Sequence, residues 1–147
     1  LTKKIILISY CSNGQFGMKM DAIGAPGATV PTTYVTSGKL TGMSNVYFNK
    51  NLAFSSAKQL FFTMGHEFVH VSQFAALAGQ RASILTQDFI DMLDFHAYSY
   101  QNSIGGLQLN SYTREEILHW STTYSQFNSM NYINFPWSFN HSYIYPF

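Results

Sequence analysis

Leu60 to Ala78 reads LFFTMGHEFVHVSQFAALA. The run is apolar nearly all the way round a helical wheel, so it is expected to be a helix lying inside a domain. Three ionisable groups interrupt it: His66, Glu67 and His70. One helical turn separates the two histidines, which puts both imidazoles on one side of the helix. Glu67 sits one step round from them. A buried carboxylate beside two buried imidazoles is costly unless something compensates them.

A divalent metal supplies that compensation. His66-Glu67-Phe68-Val69-His70 is an HExxH pattern, in which two histidines bind zinc and the glutamate works on a water molecule. Random order of this composition would produce roughly 0.003 such patterns per chain, which makes coincidence a weak competitor. The expected cofactor is therefore Zn2+. His66 and His70 are expected metal ligands and Glu67 the expected general base.

The flanking sequence bounds this helix. Ser56 to Gln59 has the form of a capping box and is expected to start it. Gly79 is expected to end it. Upstream, Ile5 to Tyr10 is β-branched and apolar and predicts a central strand. Ser12 to Gly27 contains four glycines and a proline and reads as loop. Thr29 to Thr36 and Asn45 to Phe48 predict further strands, with Ser37-Gly38 and Thr41-Gly42 as turn signals between them. Downstream, helices are expected from about Ser83 to Gln101, stopped by Gly105-Gly106, and from Thr113 to about Gln126. Residues 127–147, rich in Asn, Ser, Tyr and Phe, read as an irregular segment wrapped on the body. Strands first and helices after predict an α+β fold with a small, mostly antiparallel N-terminal sheet, an active-site helix and two further helices.

Composition narrows the classes. A length of 147 residues predicts one domain spanning 1–147. Such a chain can bury about two thirds of its unfolded surface without staples. Charged residues make up only 10% and aromatics 17%, and the net charge is +1 with no basic run. Nothing there points to nucleic acid or an anionic membrane. No stretch reaches the length of a membrane span. Cys11 is the single cysteine. It cannot form an intrachain disulfide, and it excludes a thiolate-rich zinc site. The chain begins with Leu and not Met. The expectation is a mature form or an excised piece of a larger secreted chain, with its targeting signal upstream and an exported location.

A catalytic zinc ordinarily has three protein ligands and one open position. The segment Asp88-Phe-Ile-Asp91-Met-Leu-Asp94-Phe-His96-Ala-Tyr98 is the obvious source of the third. On a helical wheel Phe89, Leu93, His96, Ala97 and Tyr100 share one face, and Asp94 lies off it toward Gln87, Tyr98 and Gln101. By periodicity His96 is therefore the inward residue. Asp88 and Asp91 read as a solvated helix face.

Gly65 to Gln73 resembles the active-site helix of zincin-type zinc metallopeptidases. Asp94-Phe95-His96-Ala97-Tyr98 resembles the ExxA[D/Y] segment by which their gluzincin branch supplies a third ligand from the next helix. The resemblance covers about Ser56 to Gln101. It implies that Asp94 binds zinc, with Asp standing where that branch has Glu. His96 and, less directly, Asp91 remain alternatives. The metzincin pattern would need glycine at Gln73 and histidine at Ala76 and does not fit. A fainter similarity is to metallopeptidase domains at the C-terminal ends of large bacterial secreted proteins, some of them toxins.

The expected reaction is hydrolysis of a peptide bond in a peptide or protein substrate, with zinc activating water and Glu67 as general base. Tyr98, Tyr100, His96 and His119 are candidates for the donor that stabilises the oxyanion. Asn45 to Asn49 is the expected sheet edge along which substrate lies. Two other functions fit the same sequence: an inactive zincin-like binding or structural module, and a zinc amide hydrolase acting on a cell-wall component.

Overall fold

The computed structural model describes residues 7–11, 24–105 and 114–124. Its class is α+β. The chain packs as two compact units, Leu1–Ala82 and Ser83–Phe147.

The first unit holds three strands and a long helix. β1 (Leu7–Cys11), β2 (Gly27–Thr33) and β3 (Leu40–Asn49) form one sheet in the order β1-β3-β2. β2 pairs antiparallel to β3, and β1 pairs parallel to it. Among the described residues the sheet thus has one antiparallel and one parallel pairing. Among the described strands, β1, expected at the centre, lies at an edge, and β3 is the middle strand.

Gly38, at φ +63, lies in the tight turn that joins β2 to β3. Thr41-Gly42, expected as a second turn, is instead inside β3. The register explains why. Between the pairs Pro31↔Ser44 and Thr33↔Leu40, two steps along β2 match four along β3, so the longer strand buckles there. Gly42 takes φ +81, and a Cβ on it would lie 2.8 Å from the Cβ of Ala78. The glycine answers a close approach by a distant segment, which a reading of neighbours alone mistakes for a turn.

β3 alternates in the manner of a half-buried strand. Leu40, Gly42, Ser44, Val46 and Phe48 are buried, and Met43 is exposed. The buried face meets α1 (Ala57–Ala76), where Leu60, Met64 and Val71 pack on Val46, Phe48 and Ala53. Each of Val46 and Phe48 removed from water contributes about 1.5–3 kcal/mol. The turn between β3 and α1 is set by Asn49. Its side-chain oxygen accepts from the amides of Asn51 and Leu52 at 2.9 and 3.1 Å. Ser56 then caps α1, accepting from the Gln59 amide at 3.0 Å, as the capping-box pattern predicts. The helix ends at Ala76, and Gly79 follows at φ +83 in the turn beyond it.

The second unit contains α2 (Gln87–Ser103) and α3 (Arg114–Thr123). α2 begins later than expected because Ala82–Ile84 forms a 3-10 turn first. Thr86 closes its N-terminus, accepting from the Phe89 amide through Oγ1 and from the Ile90 amide through its carbonyl. Phe89, Leu93, His96 and Ala97 are buried, as the wheel predicts. Met92 and Phe95 are buried as well, so more than one face of α2 is covered.

Asp88 is part-exposed, yet it also ties α2 to α3. Its carboxylate accepts from Tyr124 Oη at 2.6 Å, from Trp120 Nε1 at 2.8 Å and from His119 Nε2 at 3.0 Å. The partners are 31 to 36 residues away in sequence, so no local pattern announces them. Trp120 is only 1% exposed and stacks at a tilt on Phe95. The hydrogen bond from Tyr124 is the main reason that Asp88 stays below the usual carboxylate range, with Trp120 and His119 adding to it against the cost of partial burial.

Asp88→Ala is expected to destabilise the chain by about 1–3 kcal/mol, because it strands the buried Trp120 N–H. Chemical denaturation measures this directly. The sign with pH follows from the lowered pKa. The Asp88 contribution is complete above the pKa of the unfolded carboxylate and disappears as pH falls through the lower folded value. Asp88→Asn should lack that part of the acid-induced loss.

Candidate metal centre

Helical spacing on α1 turns His66 and His70 to the same side, and their Nε2 atoms face each other at 3.1 Å. The rings stand edge to face, with centroids 4.9 Å apart. The tautomer of His70 is decided by its neighbour. Gln73 Oε1 is an acceptor and lies 2.8 Å from His70 Nδ1, so Nδ1 carries the proton and Nε2 the lone pair. Gln73 is 2% exposed and is held there by the same helix. A metal-binding imidazole ordinarily donates from its rear nitrogen to an oxygen acceptor in this way. Phe74 stacks on His70, with ring centroids 6.3 Å apart, and His70 itself is half-buried.

Glu67 is 4% exposed and points to the sheet, against β2. Thr29 Oγ1 donates to Glu67 Oε2 at 2.7 Å and also lies 3.1 Å from the Glu67 carbonyl oxygen. Gly27, two residues earlier on the strand, presents no side chain to the same carboxylate. Neither residue stood out in the sequence. Thr29 is 38 positions from Glu67, and only the fold relates them.

The other expected site residues belong to the second unit. Asp94 is half-buried on α2. His96, on the same helix, is 2% exposed, and burial pushes its pKa down to about 3, so it is a neutral imidazole at physiological pH. Tyr98 and Tyr100 are half-buried. Burial raises the Tyr100 hydroxyl, which therefore remains a proton donor. Asp91 accepts from Gln87 Nε2 at 2.8 Å along the helix. His119 lies on α3 with Nε2 on Asp88 and Nδ1 3.2 Å from Thr123 Oγ1, so both its ring nitrogens have partners.

One expectation about substrate is corrected. Asn45 to Asn49 is not a sheet edge, since β1 pairs with it on one side and β2 covers Asn45 to Phe48 on the other. The strand nearest Glu67 is β2, whose one pairing among the described residues is with β3. No protein-family model, no curated protein and no solved structure matches this chain.

Proposed function

We propose that this chain is a zinc-dependent endopeptidase of zincin type. The observation that carries the reading is the convergence of His66 and His70, Nε2 to Nε2 at 3.1 Å, beside a buried Glu67. The donor set suits zinc. Two neutral imidazoles and a carboxylate are its ordinary catalytic ligands, and Gln73 fixes one imidazole in the coordinating tautomer. We assign Asp94 as the third ligand, on the likeness of residues 94–98 to the gluzincin segment.

Zinc bound there would lower the pKa of water and polarise a carbonyl group. The chain's own residues do the rest. Glu67 takes the proton of the attacking water and delivers it to the leaving amine. Glu67 is 4% exposed, so little bulk water competes for its carboxylate. Among the described residues the outer edge of β2 is unpaired, and along it an extended peptide can lie as an added strand. Tyr98 and His119 remain the candidate oxyanion donors.

A mixed peptide library incubated with the zinc-replete chain and read by mass spectrometry tests this function. Cleavage that stops on chelation and returns with added zinc is expected. Zinc binding without cleavage of any peptide would instead indicate a binding module, and release from cell-wall amides alone would move the substrate class.

A further inference from the structure

We propose that β2 is a positioning shelf for the general base, on which Thr29 fixes the Glu67 carboxylate and Gly27 leaves the space it occupies. This inference rests on the hydrolase reading above and adds to it two residues outside the HExxH helix.

The geometry is specific. The Thr29 hydroxyl has one proton and two acceptors within reach, Glu67 Oε2 at 2.7 Å and the Glu67 carbonyl at 3.1 Å. The carbonyl already lies in the hydrogen-bond ladder of α1, and the carboxylate bond is the shorter, charge-assisted one, so the proton goes to Oε2. The other carboxylate oxygen lies over Gly27. A Cβ on that glycine would sit 2.5 Å from Oε1 and 2.8 Å from both Cδ and Cγ, closer than atoms pack. Positions 27 and 29 alternate onto the same side of the strand. β2 is itself held by β3, with Gly27 opposite Phe48 and Thr29 opposite Val46, and both of those partners are core residues. Glu67 is therefore gripped at one oxygen and accommodated at the other by a rigid element. A glutamate has three rotatable side-chain bonds, and an ångström of misplacement at a reacting group can cost about 100-fold in rate.

A purely structural role would make Thr29 matter to stability alone. A positioning role separates kcat from KM and changes the environment of one carboxyl carbon. The chain has three glutamates, Glu67, Glu115 and Glu116. Glu115 and Glu116 are exposed, so a spectrum labelled at glutamate 13Cδ holds one buried signal and two references. Glu67→Gln assigns the buried one.

Thr29→Val, which keeps the shape and removes the hydroxyl, should move the Glu67 signal toward the two references. It should lower kcat on a cleaved peptide by about 10- to 100-fold, with KM and zinc stoichiometry unchanged. Thr29→Ser should restore both signal and kcat. Gly27→Ala keeps the hydroxyl but displaces the carboxylate, and should reproduce the Thr29→Val result. If Thr29→Val does not fold, Gly27→Ala decides by the same two readouts. A Glu67 signal and a kcat that survive both substitutions overturn the proposal while leaving the hydrolase reading intact. If the wild-type chain cleaves nothing, the hydrolase reading fails alone, and the 13C signal still decides whether Thr29 and Gly27 set the position of Glu67.

Discussion

Glu67→Gln is expected to lower peptide hydrolysis by about 10²- to 10⁴-fold. It should leave zinc content at the wild-type level, because the proposed histidine ligands are untouched. The substitution is close to isosteric. A glutamine oxygen can still accept from Thr29 Oγ1, so the packing against β2 survives. What is lost is the capacity to take a proton from water and return it to the leaving amine. Parallel measurement of zinc content and turnover separates this loss from loss of the metal. Full activity in the variant would show that another group is the base.

The second large effect concerns the ligands. His66→Ala, His70→Ala and Asp94→Ala are each expected to weaken zinc by more than the roughly 100-fold that follows loss of an outer-shell partner. In the wild-type chain, zinc at a hundred times its dissociation constant should add about 2.7 kcal/mol of stability, which each variant should forfeit. Thermal denaturation with and without zinc reads this. Asp94→Ala carries the most information of the three. If it binds zinc as the wild type does while His96→Ala does not, the third ligand is the residue that helical periodicity favours, and the assignment of Asp94 is wrong.

Some of this was legible in the residues alone, for physical reasons. The histidine pair is a local relation, set by four residues of helix, and its geometry follows from the helical repeat. Ser56 as a cap and the buried face of α2 are local in the same sense. What escaped was nonlocal. The order of strands put β3 in the middle and β1 outside, because pairing is chosen by the whole sheet and not by the apolar character of one strand. Gly42 looked like a turn residue until the chain beyond α1 came within 2.8 Å of where its Cβ would be. The hydrogen bonds of Asp88 were hidden because Trp120 and Tyr124 lie more than thirty residues downstream. Thr29 had no motif to announce it. The segment 127–147, expected to wrap on the body, and the helix start expected at Thr113 lie outside the described residues.

The central claim is that His66 and His70 hold a zinc ion. Its most direct test is titration of the chelator-stripped full chain with zinc against a competing chromophoric chelator. One equivalent bound tightly per chain, lost in His70→Ala, is the result predicted. A wild-type chain that takes up no more zinc than His70→Ala would contradict it.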